Sequence, residues 1–287
     1  MSMTRTQAPP PSPRRIRPAA FALKGIAKVA PGIQPRVQKG MIRAGYQYLR
    51  RRNGLMHGYA FMNYGYAPLS GSGASDGEGE DLSAALYARV AGAVDLSGKD
   101  VLEVGCGRGG GADLVARTLG PRSVTGIDFA EHAIREAGSR FSSPNLRFAI
   151  GDAENLPSDA NSFDAVLNVE SSHCYPDLGR FALEVARVLR PQGVFLFADI
   201  LPADADARLR GHFDAAGFAL VEHERITPNV LRALELDAER RRAVIERSVP
   251  RVLRRAALEF VGADGSEVVQ ALRSGVLQYR RFVLQRT

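Results

Sequence analysis

The sequence predicts an α/β fold with an open, largely parallel sheet, and three observations carry that prediction. An apolar run, Val101, Leu102 and Val104, leads into glycines at 105, 107 and 110 and then into the helical spacing of residues 112–119. Two further apolar runs, 123–127 and 146–150, follow with helical stretches between them. Each run carries an acid at its carboxyl end: Glu103, Asp128 and Asp152. In open α/β sheets the carboxyl ends of the strands form the ligand crevice.

Glycine permits the sharp strand-to-helix turn and the close approach of a ligand, although a G-x-G-x-x-G turn also arises for purely steric reasons. Asp128 lies 21 positions beyond Gly107, the distance at which an acid holds the hydroxyls of a ribose. The unit therefore reads as a site for an adenosine-containing cofactor. A nicotinamide cofactor would set a pyrophosphate against the helix start, where Glu103, two residues before the first glycine, opposes it. Three carboxylates suit a cationic ligand instead, and S-adenosylmethionine carries a sulfonium and an ammonium.

Five stretches in order, VLEVGCGRGG (101–110), VTGIDFAEHAI (124–134), FAIGDAENLP (148–157), SFDAVLNVESSHCYPD (162–177) and EVARVLRPQGVFLFADI (184–200), resemble the class I S-adenosylmethionine-dependent methyltransferases. The resemblance implies a Rossmann-like seven-stranded sheet, an N-terminal helical lid, a helical insert before the last strand, S-adenosyl-L-methionine as cofactor, and no metal. It puts Gly105 and Gly107 under the methionyl part, Asp128 on the ribose, Phe129 beside the adenine, and Asp152 and Ala153 at the adenine edge. Glu103, Cys106, Gly110, Glu154, Asn168 and Val169 complete the expected cofactor-binding set.

With 45% hydrophobic and 24% charged residues, the chain has the make-up of a soluble globular protein. No apolar run reaches the roughly 18 residues that span a membrane. Cys106 and Cys174 read as reduced thiols of a cytoplasmic protein. The net charge of +7 is unevenly spread: residues 1–75 hold 12 Lys or Arg and no Asp or Glu, and the remainder holds 26 basic and 31 acidic residues. A nucleic-acid binder would carry basic surface on the catalytic body, so nucleic acid is not an expected partner. Residues 1–35 read as a basic, solvated leader. An organellar transit peptide, or a peripheral membrane contact through Phe21, Leu23, Ile26 and Val29, are the competing readings. A homo-oligomer stays open.

Residues 36–80 read as a helical lid and a Gly/Ser linker, with helical spacing over 36–57. Tyr59, Phe61, Tyr64 and Tyr66 then fall within eight residues. They either pin the leader to the domain or cover the sulfonium and acceptor, since aromatic faces stabilise cations. The stretch is similar to the lid of small-molecule methyltransferases that include those of phthiotriol-type lipids, with Ala67 where that subgroup often has tryptophan.

The catalytic domain is expected over 81–287. It opens with a helix at 81–94, followed by strands near 100–104, 123–127, 146–150, 163–168 and 193–199. A helix at 181–189 is stopped by Pro191 and Gly193, and His132 is expected to cap the helix after Asp128. A helix at 205–216 and a sixth strand at 218–225 follow. A long basic insert at about 227–260 carries Arg240, Arg241, Arg242, Arg247, Arg251, Arg254 and Arg255, and a seventh strand at 276–285 closes the sheet.

Methyl transfer from a sulfonium releases a neutral thioether, so the protein must supply alignment at about 3–3.5 Å and, for an oxygen nucleophile, proton removal. His173, in the loop after the fourth strand, is the candidate base, with an ordinary pKa near 6.5. Asp199, at the end of the fifth strand, is its expected orienting partner, an arrangement similar to sugar and natural-product O-methyltransferases. The leading reading is methylation of a hydroxyl on a hydrophobic small molecule or lipid. Glu170 is the rival base, for C-methylation of a prenyl diphosphate or electron-rich ring. A non-catalytic cofactor-binding scaffold is the remaining alternative.

Overall fold

The computed structural model describes residues 60–70, 80–249 and 251–287. Tyr59, the leader, the expected helix at 36–57 and most of the linker lie outside the described residues. Helix α1 (Glu80–Ala91) leads into β1 (Asp100–Val104), α2 (Gly110–Thr118), β2 (Ser123–Asp128), α3 (Glu131–Arg140), β3 (Leu146–Ile150) and β4 (Phe163–Val169). Then come α4 (Leu178–Val188), β5 (Leu189–Pro202), α5 (Asp206–Ala215) and β6 (Phe218–Arg225). Helices α6 (Thr227–Leu236), α7 (Ala238–Ser248), α8 (Arg251–Phe260) and α9 (Glu267–Arg273) precede β7 (Leu277–Arg286).

The seven strands form one sheet in the order β3-β2-β1-β4-β5-β7-β6. The first five are parallel, and β7 runs antiparallel to both β5 and β6. Strand order reverses between β1 and β4, so the loops leaving these two strands diverge and open a crevice at their carboxyl ends.

Side chains alternate between two cores, as a pleat requires. Leu196, Ala198 and Ile200 of β5 face the core shared with α1 and α6, whereas Phe195, Phe197 and Leu201 face the other. That second core is aromatic: Phe195, Phe197, Phe213, Phe218 and Phe282 meet mostly edge to face at 5.5–6.4 Å between centroids. Both faces are filled, which fixes the strand tips that carry the acids.

Four local expectations are corrected. The basic insert is three helices, broken at Asp237 and after Ser248. Asp237 is fully buried and bonded to Arg240 and Arg241, and Pro250 follows α7 in the sequence. Helix α9 was not anticipated. It is only seven residues long, too short for a periodic signal, and is set by Ser266, whose hydroxyl accepts from the Val269 amide. His132 is not a cap: Ala130 holds that position, and its amide donates to Asp128 Oδ1. Strand β5 begins at Leu189, earlier than expected, because Gln192 takes φ 63° and a register shift opposite Phe163 and Ala165 accommodates the Pro-Gln-Gly turn. Among the described residues no helix is long and apolar enough to cross a membrane.

Candidate active site

The turn after β1 is built by backbone conformations that favour glycine. Gly105 has φ +75° and Gly107 φ +56°. The amides of Gly105 and Cys106 both donate to the Ile127 carbonyl, and the Gly107 amide donates to Asp128 Oδ2 at 2.9 Å. The tips of β1 and β2 are thereby locked together. A Cβ on Gly105 would lie 2.4 Å from Ser171 Oγ and 2.7 Å from Tyr175 Oη, so the loop after β4 closes directly onto the turn.

A cleft of about 1310 Å³, counting its open mouth, runs over this turn. Its floor includes Gly105, Cys106, Gly107, Asp128 and Phe129, and one wall holds Val169, Glu170 and His173. A side cavity shares Gly105, Asp128, Phe129 and Tyr175 with the cleft and continues to Asp152, Ala153 and Glu154. The residues expected around the adenine thus form one lobe and those expected around the methionyl part form the other. Phe61 and Tyr64 of the expected lid line the cleft. Tyr66 instead packs against the sheet core, with its amide bonded to Leu82. Gly110 lies against the Ala60 backbone, and Asn168 is buried behind the turn, donating to Val104 and Ser171. Glu103 and Asp199 also stand behind the walls rather than on them.

Asp199 is fully buried and receives four hydrogen bonds or ion contacts. His173 Nδ1 lies 2.7 Å from its Oδ1, the His173 amide and Ser172 hydroxyl donate to Oδ2 at 2.9 and 2.6 Å, and the Ile200 amide donates to Oδ1. Burial pushes the Asp199 carboxyl up, but the facing imidazole and these donors outweigh it and hold the carboxyl below its ordinary value. Glu103 is the opposite case. Its Oε1 accepts from Tyr87 Oη at 2.6 Å, and its buried Oε2 has no hydrogen-bond partner. Burial, aided by the nearby Asp128 carboxylate and opposed by the Tyr87 phenol and the Ala112 backbone, pushes it up to about 7.

Glu170 sits at φ 50°, a left-handed conformation rare for a non-glycine residue. Its Oε2 accepts from the Tyr64 amide at 2.8 Å and from Tyr279 Oη at 3.2 Å. Across the cleft, Arg241 donates to the Tyr64 carbonyl, to the Val261 carbonyl and to Asp237. Tyr64 is therefore held from both sides of its backbone, and the segment around it becomes the roof. Arg240 also pairs with Asp237, through two hydrogen bonds. The apolar lining on this side comes from Met62, Val244, Ile245 and Val261. Tyr87 had no sequence signal of its own; Tyr175, Met62 and Arg241 lie in stretches that the sequence singles out, but their places on the cleft come from the tertiary fold.

S-adenosylmethionine fits these residues. The glycine turn leaves no Cβ over the floor, the side lobe suits a planar base, and Asp128, Glu170 and the buried Glu103 favour a cation.

The family described as Methyltransferase domain matches residues 102–197. The phthiotriol/phenolphthiotriol dimycocerosates methyltransferase of Mycobacterium tuberculosis is 45% identical over 197 residues, covering 69% of this chain and 73% of that protein. A fatty-acid O-methyltransferase of Mycolicibacterium smegmatis is 37% identical over 225 residues, covering 77% and 81%. The crystal structure of geranyl diphosphate C-methyltransferase from Streptomyces coelicolor A3(2) superposes with a TM-score of 0.63 at 19% identity, covering 90% of this chain and 100% of that one, a likeness of fold. Together with the motif-bearing strand tips, these matches show that the chain belongs to the class I S-adenosylmethionine-dependent methyltransferases.

Proposed function

We propose that the chain methylates a hydroxyl of a hydrophobic, uncharged lipid or natural-product acceptor, with His173 as general base and Asp199 as its orienting partner. The cofactor, when bound, supplies an electrophilic methyl on sulfur and a neutral leaving group. The chain's own task is then to place the acceptor oxygen and take its proton.

The contact of His173 Nδ1 with the buried Asp199 is the observation that carries this reading. With Nδ1–H donating to the carboxylate, the neutral ring carries its lone pair on Nε2, and the ring lines the cleft. Asp199 stabilises the imidazolium that forms when the acceptor proton arrives. A base so placed contributes about 10²–10⁴-fold.

The roof supports a neutral acceptor. The lining cations Arg240 and Arg241 are both paired with Asp237, while Asp128 and Glu170 add negative charge. Among the described residues, no lining cation is left over for an ionised carboxylate or diphosphate. One relative is named for phthiotriol and another for a fatty acid; the charge balance favours the hydroxylated class. The same contacts weigh against Glu170 as base, because its Oε2 is engaged in holding Tyr64 and Tyr279.

The test is a competition between a long-chain alcohol, the carboxylic acid of the same chain, and geranyl diphosphate, with mass detection of one added CH₂. Ether formation from the alcohol is the expected product. Ester alone would overturn the neutral-acceptor reading, and a carbon-methylated diphosphate would move the base role to Glu170.

A further inference from the structure

We propose that Tyr87 is a donor-binding residue: its phenol oxygen presents the charge of the buried Glu103 to the cleft and receives the ammonium of the S-adenosylmethionine amino-acid part. This rests on donor binding alone and is independent of which acceptor is methylated.

Glu103 lies on β1 with 1% of its surface exposed and does not line the cleft, whereas Tyr87, from α1, does. The 2.6 Å hydrogen bond between them is in the range of charge-assisted O–H···O contacts. Burial and the adjacent Glu103 push the Tyr87 phenol well up, so it keeps its proton and donates it to Glu103. Its oxygen lone pairs remain to accept from a ligand. The position is built for the ring: a Cβ on Gly111 would lie 2.1 Å from the Tyr87 ring carbons and 2.5 Å from Oη.

Among the described residues, the groups that act on the pair include no cation. Asp128 from β2 acts on Glu103, and Cys106 from the turn and Glu170 from the loop after β4 act on Tyr87. Asp128 and Glu170 are carboxylates, Cys106 is a thiol, and the Ala112 backbone at the start of α2 also acts on Glu103. A buried carboxylate with an orphaned Oε2 and no counter-charge among the described residues is costly until a cation arrives. An ammonium against the Tyr87 oxygen provides one through the phenol. Since Glu103 is pushed up to about 7, arrival of the ammonium drives its remaining proton to solvent. One O–H bond of Glu103 is exchanged for one in buffer.

The test uses full-length protein and S-adenosylhomocysteine, which keeps the amino-acid part, against methylthioadenosine, which lacks it. Calorimetry from pH 6 to 7.5 should show homocysteine-ligand affinity rising about five- to tenfold, with proton release seen as a dependence on buffer ionisation heat. Methylthioadenosine should show neither. Tyr87→Phe should weaken S-adenosylhomocysteine about tenfold at pH 7.5 and leave methylthioadenosine unchanged. Glu103→Gln should abolish both the pH dependence and the proton release. A Tyr87→Phe variant that melts earlier yet keeps wild-type affinity for S-adenosylhomocysteine would overturn the proposal, as would equal pH dependence for the two ligands.

Discussion

The tips of β1 and β5 each bury a carboxylate behind one ring that lines the cleft, yet the two are finished differently. Asp199 is met by an imidazole, a hydroxyl and two backbone amides, and sits low. Glu103 is met by one phenol and the Ala112 backbone, keeps an Oε2 with no side-chain partner, and sits high. A carboxylate completed by the protein is a fixed part of its structure, here the proposed anchor for a base. One left incomplete stores an unfavourable charge that a cationic ligand can relieve. On the two proposals above, the contrast separates an acceptor side that the protein pre-organises from a donor side that the cofactor finishes.

The largest effect on this contrast is expected at the turn between the two lobes. Gly105→Ala adds a methyl 2.4 Å from Ser171 Oγ at a left-handed φ. It should remove donor binding in calorimetry, a loss of at least about 100-fold, while the melting transition persists.

Next comes the roof. Asp237 is fully buried, and its partner Arg241 is 8% exposed at the side chain, so Asp237→Asn leaves two guanidinium groups without their carboxylate. A destabilisation of about 3 kcal/mol is expected in urea unfolding. The acceptor KM should rise more than the donor Kd, because the roof holds Tyr64 over the acceptor side. Equal changes in both constants would erase the distinction between the sides.

The smallest effects separate the carboxylates by pH. Asp199 lies below its unfolded value, so its contribution to stability is present above about pH 4 and is lost as pH falls through the folded value. Asp199→Asn should therefore flatten the acid side of the stability profile. Glu103 lies above its unfolded value, so its contribution is present below about pH 4 and is lost as pH rises through about 7. Ligand-free Glu103→Gln should be more stable than wild type above pH 7, where the wild type must bury an ionised carboxylate. Thermal melts across pH would show the two variants diverging in opposite windows.

The glycine turn and the acids around it were legible in the sequence because they are written locally. A strand, a glycine turn and an acid 21 residues on are consecutive features whose spacing is set by backbone geometry. The meeting of His173 with Asp199 was legible for a related reason: His173 follows β4 by four residues, Asp199 lies in the carboxyl-terminal part of β5, and parallel neighbours bring such positions together; β4 and β5 pair Val169 with Ala198. The roof was not. Tyr64, Arg241 and Val261 meet across separations of 20 to 177 residues, through bonds to backbone atoms that no residue pattern marks. The arginines of the basic insert divide in the structure: Arg240 and Arg241 turn inward to Asp237, whereas Arg242, Arg247, Arg251 and Arg255 are exposed. Tyr87 was hidden in the same way, since one turn of a buried helix face looks like core whether or not its hydroxyl meets a carboxylate.

The most direct test is turnover of a hydroxylated lipid acceptor by His173→Ala, measured beside the dissociation constant for S-adenosylhomocysteine. The expected result is a loss of about 10²–10⁴-fold in kcat with donor affinity within twofold of wild type. Undiminished kcat at intact donor affinity would remove His173 from proton transfer and leave Asp199 with a structural role alone.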